Sequence, residues 1–246
     1  MKPIALLFAF SLVFFAGCKE DSDDIVVSET GIVKVNVSNM VDGASIVQNN
    51  FQYENALSET YSINLLKYYL SNAVLVDDQG TVIPFSNYTL IDGLNTSDNF
   101  FSACIPNGHY VQLKCYVGVN HQNNHSGDQE GDLDPINGML WTWSTGYIFF
   151  KHEGQFIDSA GNTQELLYHF GTDAAYTEFV LPLDLTVSGN TKTVQLQFDL
   201  SSLYNATHQV GFENSNFHQS ISVDDELWLE QLRDNFPDAF SITSIQ

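Results

Sequence analysis

Tyr110-Val111-Gln112-Leu113-Lys114-Cys115-Tyr116-Val117-Gly118-Val119 sets apolar residues at 111, 113, 115, 117 and 119 against polar or small partners. Successive side chains of an extended chain leave on opposite sides, so this period of two predicts a strand with one buried face. The same signal recurs on both sides. Val33, Val35 and Val37 alternate with Lys34, Asn36 and Ser38, and Tyr69 to Val76 forms another candidate. Asp77-Asp78-Gln79-Gly80 then turns the chain back into Thr81 to Phe85, where Pro84 suits an edge. Tyr147 to His152, Glu165 to Phe170, Glu178 to Leu181 and Thr193 to Leu200 follow, with a turn at Asp158 to Asn162. Short strands separated by turn signals predict an all-β chain, an antiparallel β-sandwich, rather than a βαβ fold.

One short C-terminal helix interrupts this pattern, over about 223–235. Ser222 supplies a cap with Asp225 three residues on, and Asp224 to Glu226 complement the helix dipole. Leu227, Trp228 and Leu232 are expected to face the sheet, and Pro237 lies beyond the stop. Residues 31–246 then read as one domain.

The N-terminus reads as an address. Lys2 precedes an apolar stretch, Ile4 to Phe15, too short to span a bilayer comfortably, which ends in Phe15-Ala16-Gly17-Cys18. Small residues before a cysteine resemble a bacterial lipobox. This predicts a signal peptide over 1–17 and an acylated Cys18 (palmitate or a similar chain) at the mature N-terminus. Residues 18–30 form an acidic linker. The Lys19-Glu20-Asp21-Ser22-Asp23-Asp24 run resembles the surface-export signal of Bacteroidetes lipoproteins. The expected place is the outer membrane, on its periplasmic or cell-surface face, held by the lipid anchor only.

With 8 Lys+Arg against 30 Asp+Glu, the formal charge is −22. Such a field repels nucleic acid and attracts cations. Cys104 and Cys115 flank Asn107-Gly108, which reads as a hairpin turn. That turn sets Cys104 opposite about Val111, so a disulfide needs another register or a bulge, and both outcomes stay open. No G-x-S-x-G, H-E-x-x-H, G-K-[ST], EF-hand or C-x-x-C-H pattern occurs, and no enzyme activity is expected.

Residues 120–140 form a long polar loop between two strong strands, a place where function concentrates. It carries His121 and His125, two of seven histidines, the others being His109, His152, His169, His208 and His218. Neutral imidazole is a common ligand for copper and zinc. Singly, each histidine reads as a surface or hydrogen-bonded residue. Asp128, Glu130, Asp132 and Asp134 offer oxygens to a hard cation such as Ca²⁺, without the spacing of a known loop.

The stretch Asp134 to Lys151, with Trp141-Thr142-Trp143 at its centre, resembles the W-x-W signature of the MbnP-like family. Gly118-Val119 followed by Asn124-His125 resembles that family's G-V-x(4)-N-H loop, and His169-Phe170-Gly171 its F-H-L-G strand end, with Tyr168 for Phe. Lys67 to Asn72 resembles the L-K-Y-Y-I-S-N of Bacteroidetes members. The similarity runs from about Gly31 to Ile242. It implies a cell-envelope protein for copper acquisition or buffering, with His125 and His169 as ligands. It also implies that Trp141 or Trp143 is oxidised to kynurenine by a partner dihaem peroxidase of the MauG/MbnH type. The competing expectation is a metal-free carbohydrate-binding or adhesion sandwich, recognisable by a row of exposed rings along a face or groove.

Overall fold

Alternation carries most of the architecture. The computed structural model describes residues 29–246 except 96, 98, 126–128 and 143–145. The expected signal peptide, Cys18, most of the linker, Asp128 and Trp143 lie outside the described residues. The chain forms β1 (Thr30–Val41), β2 (Ala44–Ser45), β3 (Tyr53–Glu54), β4 (Thr60–Asp77), β5 (Val82–Asp92) and β6 (Phe100–Pro106). Next come β7 (Gly108–Val117), β8 (Leu140–Thr142), β9 (Gly146–Ile157), β10 (Thr163–Gly171), β11 (Thr177–Val187) and β12 (Thr191–Asp199). After them follow α1 (Leu200–Asn205), β13 (Phe217–His218), α2 (Glu226–Asn235) and β14 (Phe240–Ile245).

The strands make a β-sandwich. One sheet runs β14-β12-β1-β2, with β6 also on β1, and the other runs β11-β7-β4-β9-β10-β13, with β3 and β5 on β4 and β8 on β9. Inward rings join the layers: Tyr68 of β4 meets Phe198 of β12 at 4.8 Å, and Phe179 of β11 stacks on Phe240 of β14 at 4.1 Å. β11 alternates without a break, Thr177, Phe179, Leu181, Leu183, Leu185 and Val187 buried and their neighbours exposed. Its Pro182 is tolerated because β11 ends its sheet and the ladder to β7 shifts there.

Several expectations need correction. The sandwich is mixed rather than wholly antiparallel, since β1 pairs β12 in parallel, as does β10 with β13. Asn107-Gly108 is a crossover between sheets, not a hairpin: β6 pairs β1 and β7 pairs β4 and β11. Cys104 and Cys115 therefore sit in different layers, one exposed and one fully buried, and both are free. In β7 the alternation holds from Leu113 to Val117, but Tyr110 rather than Val111 is buried, because the pairing with β4 slips at Asp77. The expected C-terminal helix is α2, entered by a 3-10 turn over Val223–Asp225 whose cap, Ser222, accepts from the Asp224 amide. Trp228, Leu229 and Leu232 face the core, whereas Leu227 points to solvent. β14 follows α2, and the short α1 was not expected.

Topology positions the site. Over Tyr61–Tyr68, β4 pairs β9; over Leu70–Asp77 it pairs β7. Because β5 pairs Lys67–Val76, it holds the opposite edge of β4. β7 and β9 thus lie end to end along one edge, with β11 beyond β7 and β10 beyond β9. The chain leaves this junction after Val117, returns at Gly146, and crosses it again between Gly171 and Thr177.

Candidate metal centre

Three segments converge at the junction. The loop after β7 is tied by asparagines: Asn120 Oδ1 accepts from the Asn123 amide at 3.1 Å, and Asn123 Nδ2 donates to Tyr88 Oη at 2.7 Å. Asn124 Oδ1 accepts from the Tyr147 amide at 2.8 Å, while its Nδ2 donates to Asp173 Oδ1 at 2.9 Å. One side chain therefore fastens the loop to the start of β9 and to the turn beyond β10. His125 follows it and is exposed. His121, also exposed, bonds Asp173 through Nδ1.

Trp141 approaches from β8. A Cβ built on Gly171 would lie 2.7 Å from the Trp141 ring and 2.7 Å from the Tyr147 carbonyl, so only glycine admits this contact at the end of β10. The Trp141 indole nitrogen is buried without a hydrogen-bond partner. Thr172 follows at φ 73°, ψ 162°, a region that a β-branched residue avoids, so the backbone is strained beside the indole.

His169 stands two residues before Gly171 and is buried. Its Nε2 lies 2.9 Å from Glu153 Oε1, and Lys151 Nζ sits 3.3 Å from the same oxygen. Lys151 also reaches the Gly138 carbonyl at 3.4 Å, which brings the approach to β8 alongside His169. Burial lowers the His169 pKa, and Lys151 adds to that against the opposing bond from Glu153. For Glu153, burial pushes the pKa up, but the His169 bond and the Lys151 charge outweigh it and hold it below the usual carboxylate value. A neutral imidazole beside an ionised carboxylate donates Nε2–H to it. The lone pair is then left on Nδ1, which is buried without a partner. A carboxylate that fixes the tautomer and leaves the other nitrogen bare is the arrangement seen behind metal-binding histidines.

The structure thus brings together the segments bearing His125, Trp141 and His169. Among the described residues, no group of three or more His, Cys, Asp and Glu side chains could hold a metal by itself. The acidic loop is used otherwise: Asp132 accepts from the Leu90 amide at 2.9 Å and Asp134 caps the turn at Ile136. Of the remaining histidines, His109, His208 and His218 pair with Asp184, Asp234 and Asp225, and His152 is inside the core. Glu153 and Lys151 were not singled out from the sequence. Their outward parity on β9 was readable, but their register against His169 was not.

The MbnP family profile matches residues 30–223. This chain belongs to the MbnP family. Among solved structures, MbnP from Methylosinus trichosporium superposes with a TM-score of 0.54 at 18% identity, over 80% of this chain and 86% of that one. The MbnP likeness at that identity concerns the fold, and it confirms the sandwich. A search of curated proteins returned no match. The MbnP profile spans every segment that meets at the junction, from the asparagine-tied loop to Gly171.

Proposed function

We propose that this MbnP-family chain is a cell-envelope copper-binding protein, not an enzyme, that serves copper acquisition or buffering. The observation that carries the reading is His169: its Nε2 bonds Glu153 and its buried Nδ1 has no partner. An unpaired nitrogen in a dry site costs on the order of 1–3 kcal/mol unless a ligand satisfies it. The donor set fits copper in a restricted sense. His169 and His125 would hold the ion, and Trp141 or Trp143, oxidised to kynurenine by a partner dihaem peroxidase of the MauG/MbnH type, would complete the set. Imidazole and aniline nitrogens are donors that suit copper, which would be held there for storage or delivery. Within the chain, Glu153 holds the imidazole tautomer, Gly171 lets the Trp141 ring close over the strand end, and Asn124 holds the His125 loop against β9. The charge of −22 draws cations toward the chain as a whole.

Protein purified from its own host should carry copper. His169→Ala should abolish tight binding while the chain still folds, at a modest loss of melting temperature, since the side chain is buried but lies outside the inter-sheet core. Glu153→Gln should weaken binding by about 10- to 100-fold, the usual loss when the partner behind a metal-bound histidine is removed. Native affinity in His169→Ala would refute the assignment.

No described helix is long and apolar enough to cross a membrane. We place the chain at the outer membrane through acyl groups on Cys18. Cys18→Ser should move the protein from the membrane fraction to the soluble one, and unchanged fractionation would exclude the anchor.

A further inference from the structure

The segment after α1 presents apolar side chains to solvent although it is firmly held. Phe217, Ile221, Val223 and Leu227 are 61%, 53%, 87% and 67% exposed, all within residues 217–227. Buried polar bonds fix that segment from beneath. His218 stacks on Trp228 at 4.6 Å, with Nδ1 2.6 Å from Asp225 Oδ1 and Nε2 2.7 Å from Ser215 Oγ. Ser220 Oγ donates to the His169 carbonyl at 3.2 Å and accepts from the Gly171 amide at 3.2 Å. These exposed residues are not on a loose tail that could fold them away. They are displayed on a scaffold bonded to the strand end that carries His169 and supports Trp141.

Beside the ridge lies a groove of about 430 Å³, walled by Thr172 and Ala174, by Ser220 to Val223, and by Glu226, Leu229, Glu230 and Arg233 of α2. Its rim is acidic. Asp224 and Glu226 are exposed, and Arg233, the cationic side chain in its wall, is engaged by Glu230 and Asp234 at 3.5 Å. A fixed apolar ridge with a charged rim has the composition of a protein–protein interface. With a net charge of −22, a second copy of this chain would be repelled. A partner with an apolar centre ringed by Lys and Arg would be steered onto it.

We propose that this ridge and groove are the docking surface for such a basic-rimmed protein partner. On the function proposed above, that partner is the haem enzyme that oxidises the tryptophan. Thr172 joins the groove directly to Gly171 and the Trp141 ring, so a protein seated there lies next to the indole. The bonds from Ser220 make the same surface a neighbour of His169.

The test uses the full chain and the dihaem peroxidase of the same host, with affinity read by interferometry and tryptophan conversion by peptide mass spectrometry. Val223→Asp with Leu227→Asp should weaken binding roughly tenfold or more and raise the enzyme concentration needed for conversion. Both side chains are exposed, so the melting temperature should not change. Asp224→Asn with Glu226→Gln should weaken binding at low salt and flatten its salt dependence. If the native chain is bound and converted and both variants match it, the docking surface is wrong and the proposed function stands. If the native chain is neither bound nor converted, the haem-enzyme reading fails and the docking proposal fails with it.

Discussion

Lowering the pH from about 7 to about 4.5 should destabilise the fold by about 2.5 kcal/mol through His152 alone. His152 stands on β9, opposite Leu66 of β4, and its side chain is fully buried. Tyr61 packs its edge at 6.1 Å, and the Tyr204 hydroxyl is hydrogen-bonded to Nδ1 at 2.5 Å. Burial disfavours the imidazolium and lowers the pKa from 6.5 to about 3, against small opposing effects of the Ser62 backbone and Glu153. The sign follows from proton counting. Between those two pH values the unfolded chain binds the proton and the folded chain does not. Stability is therefore complete above about pH 6.5 and falls as pH drops toward 3. His169, also lowered by burial, adds to the loss in the same direction. His152→Gln keeps a hydrogen-bonding amide for Tyr204 without a titrating group. Its urea midpoint, compared with that of the native chain at both pH values, should show the smaller fall. Carboxylates held below their usual values, such as Asp158 and Glu178, titrate at lower pH and are common to both proteins. An equal fall in the two would mean that His152 is not the acid-sensitive group.

Gly118→Ala should cost about 3 kcal/mol or more, the sum of a left-handed backbone penalty and an overpacked core. Gly118 has φ +109° where the chain leaves β7 for the long loop, and its amide donates to the Tyr69 carbonyl at 2.9 Å. A Cβ there would meet Phe149 Cδ2 at 2.2 Å. Phe149 is fully buried and packs edge-on against Tyr176 at 6.4 Å, so it has little room to give. The damage should extend to the proposed metal site, because Gly118 sets the exit of the His125 loop. In a Phe149→Ala background, itself destabilised by the cavity, the added cost of Gly118→Ala should shrink toward the backbone share because the clash is gone. A single-variant cost below about 1 kcal/mol in chemical denaturation would show that the junction yields more easily than this packing implies.

Local chemistry made the strands and the helix legible. Period-two runs at Val33 to Val37 and Leu113 to Val117 became half-buried strands because alternation is a property of the extended chain itself. Ser222 and the acidic turn after it marked the start of α2 because capping needs only neighbours in sequence. The histidine and W-x-W segments were likewise visible as patterns, and family membership followed from them. Strand partners were not legible. The parallel pairing of β1 with β12, the crossover at Asn107 and the separation of Cys104 from Cys115 depend on contacts between residues far apart in sequence, which no local period encodes. For the same reason Leu227 was assigned to the buried face of α2, although where that helix docks turns Trp228, Leu229 and Leu232 inward and leaves Leu227 in solvent. The sequence alone determined which side chains could serve as nitrogen donors. The tertiary structure decided that β7 and β9 meet end to end on β4, so that the His125 loop, the Trp141 strand and the end of β10 emerge at one junction. It also placed Glu153 on His169 Nε2 and left Nδ1 bare, because that pairing depends on the register between β9 and β10.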